Sequence, residues 1–154
     1  MGTKMSGSGE RLTEHELKLA EKKLGRPIPA PYRKFLLEHN GGRPEQSDFV
    51  MASKHRGKPR EGTLKSFLGV NLSEETLDLS YVLDTFGDRL PRWLFPIARD
   101  PGGSLIGIAT DGANAGKVYF WDHEYEAGDG EPPTEDNLYL VADSLDKFLA
   151  KLGG

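Results

Sequence analysis

The chain has 154 residues, of which 36% are hydrophobic and 29% charged, and its formal net charge is −4 at pH 7. This length is typical of one domain with a single core, and the apolar content excludes an intrinsically disordered chain. The absence of cysteine excludes disulfide frameworks, thiolate metal sites and cysteine nucleophiles, and it favours a cytoplasmic location. No apolar run approaches the roughly 20 residues that span a bilayer, so we expect no membrane contact.

The first residues differ from the remainder of the chain. Residues 1–10 are mostly small and polar, and Met5 offers a second possible start. We therefore predict that residues 1–10 form a flexible leader, either native or added, and that residues 11–154 form a single domain.

Two helices are predicted near the N-terminus. Thr13 and Glu16 have the spacing of a capping box, and the apolar residues that follow share one helical face, which predicts a helix over residues 14–24. Pro31 suits the first turn of a second helix, and the Asn-Gly-Gly sequence at residues 40–42 ends it.

The middle of the chain has weaker signals. Residues 43–63 are polar and irregular. In residues 64–70 apolar and polar residues alternate at first, which predicts a strand. Ser73 then marks the start of a third helix, which Gly87 ends.

From Trp93 onward the pattern is that of short strands separated by turns. Asp100-Pro101-Gly102-Gly103 and residues 111–116 are turn sequences that join the first three strands into an antiparallel meander. Ser144 caps a last helix whose apolar residues lie on one face. The fold predicted is α+β: a curved antiparallel sheet with a meander in the C-terminal half, two N-terminal helices, one middle helix and a packed C-terminal helix. The predicted strands are 93–98, 105–110, 117–122 and 137–141.

Several short motifs follow one another in a recognisable order along the chain. They are Pro29, Tyr32, Phe35-Leu36, Asn40-Gly41-Gly42, Phe67-Leu68-Gly69, Phe95-Pro96-Ile97-Ala98, Asp100, residues 116–124, Val141-Ala142-Asp143-Ser144 and Phe148-Leu149. This order is similar to that of the SUKH superfamily, in its Smi/Knr-like branch, and the similarity covers residues 12–152. The chain departs from the family at the turn Asp100-Pro101-Gly102-Gly103-Ser104, where the family often has Asp followed by glycines and Asn.

The resemblance implies a binding protein and no enzyme. In bacteria it implies an immunity protein that neutralises a cognate toxin, such as a nuclease or another basic effector domain, by stoichiometric binding. The alternative that it implies is a scaffold in signalling or in the control of cell-wall synthesis.

Carboxylates concentrate in the C-terminal third. No Lys or Arg occurs between residues 118 and 146, whereas Lys54, Arg56, Lys58 and Arg60 form a basic cluster upstream. This uneven distribution does not resemble a nucleic-acid binder. Residues 125–136 are predicted to form a loop, which either serves solubility alone or binds a basic partner. The partner-binding residues predicted are Asp122, Glu124, Tyr125, Glu126, Asp129, Glu131 and Asp136.

Catalysis is the least favoured alternative. If Asp122-His123-Glu124 ended a strand, Asp122 and Glu124 would project together with His123 opposite, and a hydrolase could use Asp122, His123 or Asp100. The remaining histidines are scattered, however, and no carboxylate or His cluster has metal-ligand spacing. We therefore expect no catalytic residues, no metal and no cofactor.

Overall fold

The computed structural model describes residues 4–52, 60–128 and 130–153. The elements in chain order are β1 (Met5–Ser6), α1 (Glu14–Leu24), α2 (Ala30–Glu38), β2 (Arg43–Pro44), β3 (Asp48–Met51), β4 (Arg60–Thr63), β5 (Ser66–Phe67), α3 (Leu79–Phe86), β6 (Leu94–Arg99), β7 (Leu105–Ala109), β8 (Val118–Trp121), β9 (Leu138–Ala142) and α4 (Leu145–Lys151). Two 3-10 turns, Glu75–Leu77 and His123–Tyr125, lie between them.

The main sheet has the order β5-β6-β7-β8-β9, and every neighbouring pair is antiparallel. The predicted α+β class and the meander are therefore confirmed. The strands from β6 onward lie within one residue of their predicted bounds, because the turn sequences between them are unambiguous.

The N-terminal helices also match the sequence. Glu16 N–H donates to Thr13 Oγ1 at 3.2 Å, and Thr13 N–H donates to Glu16 Oε1 at 3.1 Å. This capping box begins α1, and Gly25 ends it with a φ of 75°, which glycine adopts at little cost.

The middle helix begins later than predicted. Ser73 does not cap it, because residues 75–77 form a 3-10 turn and Asp78 is the N-cap of α3. Asp78 Oδ1 accepts from Ser80 N–H and Asp78 Oδ2 from Leu72 N–H, each at 3.0 Å. A carboxylate that binds backbone on both sides holds the preceding segment in a turn rather than a helix.

The strand predicted over residues 64–70 is shorter in the structure. Only Ser66–Phe67 belongs to it, and Gly69 uses its backbone groups elsewhere: its N–H donates to Leu77 O at 3.1 Å and its carbonyl accepts from Leu79 N–H at 2.9 Å. These bonds draw the chain away from β6.

The stretch that looked irregular contains a β-hairpin of β3 and β4, with Asp48 opposite Thr63 and Met51 opposite Arg60. Phe49 and Met51 are buried, whereas Asp48 and Val50 are exposed. This hairpin was not predicted, because the composition of β4, Arg-Glu-Gly-Thr, is poor for a strand. Lys54, Arg56 and Lys58 of the basic cluster lie outside the described residues.

Part of the expected leader lies on the domain. Met5 and Ser6 pair with Pro44 and Arg43. Gly9 N–H donates to the carbonyl oxygen of Asn40 at 2.8 Å, and Asn40 Nδ2 donates to Glu10 O at 2.9 Å. Residues 5–10 therefore have defined hydrogen bonds with the domain.

The core covers both faces of the sheet. On one face Phe49 of the hairpin contacts Phe120 and Phe148, and on the other Phe86 of α3 contacts Trp121 in a T-shaped arrangement. All five of these rings are buried, and Val118 of the same strand is buried too, which is typical of a strand covered on both sides. In the described ranges no helix is long and apolar enough to cross a membrane.

Tyr32 supplies a test of the packing between α2 and the sheet. It is 0% exposed, and its hydroxyl is shared between the carbonyl oxygens of Leu68 and of Ile97, the latter at 2.9 Å. Burial raises the pKa of Tyr32 well above its usual value. Tyr32→Phe removes the hydroxyl that these two carbonyl oxygens share and leaves Ile97 O with its bond from Leu68 N–H at 2.8 Å, so we expect a loss of about 1–3 kcal/mol in the free energy of unfolding in urea.

Tyr81→Phe is the matched control, because Tyr81 is only half-buried and its hydroxyl has no hydrogen-bond partner among the described residues. We expect a change of less than about 0.5 kcal/mol. Equal losses in the two variants would contradict the role given to the Tyr32 hydroxyl.

Candidate partner-binding surface

The loop after β8 is closed at its base by two buried polar residues. Asp122 N–H donates to the carbonyl oxygen of Asn137 at 3.0 Å, and Asn137 Nδ2 donates to the carbonyl oxygen of Asp122 at 2.9 Å. The two residues are 1% and 0% exposed. Residues 123–136, here called the acidic loop, therefore leave the sheet and return to it at one fixed point.

The Asp122 carboxylate belongs to this base and does not face solvent. Its Oδ2 accepts from Arg60 Nη1 at 2.8 Å, and its Oδ1 accepts from Glu124 N–H at 3.0 Å. The Arg60 guanidinium lies over the rings of Phe120 and Tyr139, 5.3 and 5.0 Å from their centroids. Burial lowers the pKa of Arg60, but the hydrogen bond and the charge of Asp122 outweigh it, so that the net shift is upward.

The predicted alternation of Asp122, His123 and Glu124 is wrong. The strand ends at Trp121, and Asp122 is the N-cap of the 3-10 turn His123–Tyr125. Because the side chains of a turn do not alternate between two faces, Asp122 points inward while Glu124 is exposed. The two carboxylates do not form a pair.

Glu126 is held by a second arginine. Arg89 Nε donates to Glu126 Oε2 at 2.9 Å and Arg89 Nη2 to Glu126 Oε1 at 2.6 Å. The guanidinium also lies 4.5 Å from the ring centroid of Phe86 and 5.7 Å from that of Trp121. The hydrogen bond from Arg89 lowers the pKa of Glu126 despite partial burial.

The remaining members of the predicted set face solvent or lie outside the described residues. Tyr125 is 64% exposed, and Glu124, Glu131 and Asp136 are also exposed. Asp136 N–H donates to Thr134 Oγ1 at 3.0 Å. Asp129 is outside the described residues. The predicted set therefore divides into two carboxylates bound by arginine, Asp122 and Glu126, and a group displayed on the loop.

A serine and a histidine meet beside the loop. Ser104 Oγ lies 2.7 Å from His123 Nδ1 and accepts from His123 N–H at 3.2 Å. Asp100 Oδ1 accepts from the backbone N–H of Ser104 at 2.6 Å rather than from the imidazole. Ser104 is 3% exposed, so these contacts join the β6–β7 turn to the acidic loop and leave the hydroxyl inaccessible to a substrate.

Within residues 4–52, 60–128 and 130–153, no group of three or more His, Asp or Glu side chains is placed to hold a metal ion. The site described so far is thus a protruding acidic loop on a fixed base, a geometry suited to contact with a macromolecule.

Comparison with known families places this geometry in context. The sequence profile of the SMI1/KNR4 family, also called SUKH-1, matches residues 11–151. The chain belongs to the SMI1/KNR4 family. This SUKH-1 chain is also 29% identical over 153 residues to the SPbeta prophage-derived uncharacterized protein YokK of Bacillus subtilis (strain 168), a match that covers 91% of this chain and 74% of the relative.

The two arginines that hold the loop were not predicted from the sequence. Arg89 and Arg60 lie 37 and 62 residues from the carboxylates they bind, so no local spacing could pair them. The run Phe120-Trp121 followed by Asp122 did contain a signal, because a carboxylate at the end of a buried strand requires a partner.

Asp122 and Glu124 provide a test of this division. The Asp122 side chain is 2% exposed and that of Arg60 is 38% exposed. Asp122→Ala removes a buried charge partner and the cap of the turn, so we expect a loss of about 2 kcal/mol in the free energy of unfolding. Glu124→Ala should change it by less than about 0.5 kcal/mol. If the two substitutions cost the same in urea unfolding, Asp122 is not the base of the loop.

The stabilisation that the ion pair of Arg89 and Glu126 contributes should decrease as the pH falls. Because the pKa of Glu126 is lowered in the folded protein, its stabilisation is fully present above the ordinary Glu pKa of about 4.3 and is lost as the pH falls through the lowered value. A double-mutant cycle with Arg89→Gln and Glu126→Gln should give a coupling of about 0.5–1 kcal/mol at pH 7, since the arginine side chain is 40% exposed. The coupling should disappear in acid, and a coupling that persists there would contradict the assignment.

Proposed function

We propose that this SUKH-1 chain is a cytoplasmic immunity protein, which binds a cognate toxin in a one-to-one complex and blocks it without catalysis. Membership of the family supports the class of function, and the acidic loop supports the mode of binding. The partner is a basic effector domain, such as a nuclease, whose own active surface must attract an anion.

The observation that carries the proposal is the display of Glu124, Tyr125 and Glu131 on a loop with a fixed base. A loop that is already held before binding loses less conformational entropy on association than a free one. Tyr125, at 64% exposure, provides a rigid amphipathic contact of the kind that is enriched at interface hot spots.

The negative charge of the loop increases the rate of association with a basic partner. Complementary electrostatic fields raise association rates to about 10⁸–10⁹ per molar per second at low salt. An immunity protein benefits from such rates, because its toxin acts within the same cell. The carboxylates of Asp122 and Glu126 contribute less to this field, since each is already paired with an arginine.

The test uses the product of the neighbouring gene in the source genome as the partner. We expect calorimetric titration to give a one-to-one complex that weakens as the salt concentration rises, and Glu131→Lys to slow association about tenfold at low salt. Glu38→Lys is the matched control, because Glu38 is also exposed and lies on α2 and the substitution changes the net charge equally.

Each outcome bears on the proposal. A complex that is insensitive to salt and to Glu131→Lys removes the acidic loop from the interface. If the neighbouring gene product does not bind, and the chain binds a kinase or a wall-synthesis enzyme instead, the immunity function is wrong and the scaffold function replaces it.

A further inference from the structure

Strand β4 has one side without a neighbour. β3 and β4 form a sheet of two strands. On the side of β3 that faces away from β4, Asp48 and Gly153 exchange two backbone hydrogen bonds, each 2.8 Å long. On the other side of β4 no strand is paired among the described residues. This side is here called the free edge of β4.

The register identifies which backbone groups lie on that edge. In an antiparallel pair, opposite residues alternate between exchanging hydrogen bonds and exchanging none. Leu64 N–H donates to Ser47 O at 2.8 Å, one position beyond the Asp48–Thr63 pair, so Thr63 and Glu61 direct their N–H and C=O groups away from β3. Lys65, next on the same side, donates its N–H to Arg99 O of β6 at 2.8 Å, which supports this direction.

The N–H and C=O groups of Glu61 and Thr63 have no hydrogen-bond partner among the described residues. A row of such groups is a template for another extended chain, which would continue the line on which Lys65 meets β6. The free edge can therefore accept a short strand through up to four backbone hydrogen bonds.

The described residues around this edge are mainly acidic among the charged ones. A groove of ≈ 890 Å³ lies on the outside of the hairpin and includes three carboxylates, those of Asp48, Glu61 and Asp100. Its cation, Lys151, already donates from Nζ to the carbonyl oxygens of Val50 and Val141. Among the described residues that line the groove, three carboxylates face this one ammonium group, and the excess of negative charge favours an occupant with Lys or Arg side chains.

A second copy of this chain is a poor occupant of the same edge. Pairing of two β4 strands about a two-fold axis would bring Glu61 of one copy close to acidic side chains of the other, and like charges opposite one another destabilise a sheet. Charged edge residues are a common protection against such self-association.

The free edge also adjoins the acidic loop. Arg60 is the first residue of β4, and its guanidinium binds Asp122 at the base of that loop. The first residue of β4 therefore contacts the base of the acidic loop directly.

We infer that the partner adds an extended, basic segment to the free edge of β4, with a Lys or Arg side chain directed at Glu61. This inference rests on the proposed function and specifies its geometry: the acidic loop attracts the partner, and strand addition at β4 slows its release. Main-chain hydrogen bonds supply affinity, while the charge at Glu61 and Asp100 selects the basic side chain.

The experiment compares Thr63→Pro with Thr63→Val in binding to the neighbouring gene product. Both substitutions remove the hydroxyl that donates to Asp48 Oδ1 at 2.9 Å, but only proline removes the outward N–H, and neither removes a bond of the β3–β4 ladder. We expect the valine variant to bind within about twofold of the unaltered chain and the proline variant to bind at least about tenfold more weakly. Glu61→Gln should weaken binding at low salt and less at high salt.

Hydrogen exchange on the unaltered chain keeps the test decisive if the proline variant fails to fold. The amides of Glu61 and Thr63 should exchange rapidly in the free protein and become protected in the complex. Protection of these amides in the chain alone, together with a doubled mass, would assign the edge to self-association and overturn the inference.

Two failures are distinguishable. If the unaltered chain forms no complex, both the proposed function and the inference are overturned. If a complex forms that depends on Glu131 but shows no protection at Glu61 and Thr63 and is unaffected by Thr63→Pro, the proposed function stands and the inference alone is wrong. A complex with protected amides that is indifferent to Glu61→Gln overturns the basic character of the segment.

Discussion

The pairing of the buried Asp122 carboxylate with Arg60 is the interaction on which the arrangement around the acidic loop depends. A carboxylate that is only 2% exposed is tolerated when a cation and hydrogen-bond donors neutralise it. Arg60 begins β4, and Asp122 follows β8. One ion pair therefore joins the hairpin, the main sheet and the start of the loop. The rings of Phe120 and Tyr139 beneath the guanidinium restrict its position.

The first part of the loop region is held at two points, in related ways, on opposite faces of the sheet. Arg60 lies against Phe120, and Arg89 lies against Trp121, which is the next residue of β8 and projects to the other face. Each arginine combines an aromatic contact with a carboxylate of the loop region. Consecutive side chains of the strand thus contact the two arginines that hold the start of the loop, while Glu124 and Tyr125 between the two carboxylates are exposed.

Sequence patterns predicted most of the fold where the interactions are local. The Thr13–Glu16 capping box, the Gly25 terminus and the turns between β6 and β8 all depend on neighbours in the chain. The start of α3 at Leu79 and the early end of β5 were missed because backbone bonds of Gly69 to residues 77 and 79 decide them. The β3–β4 hairpin was missed for a similar reason, since it depends on burial of Phe49 and Met51 rather than on its own composition.

As with the fold, the local features of the site were predicted from the sequence and its long-range contacts were not. Loop character, acidity and the exposure of Tyr125 follow from the residues themselves, whereas the separation of Asp122 and Glu126 from the exposed carboxylates requires contacts with distant arginines. The fixed base of the loop has a consequence for how such a domain can diversify. Because residues 127, 128 and 130–136 are exposed or only partly buried, substitutions at these positions can accumulate without loss of the fold, provided that Asp122, Asn137 and Glu126 are kept. The same framework could then acquire a new partner through changes in one short segment.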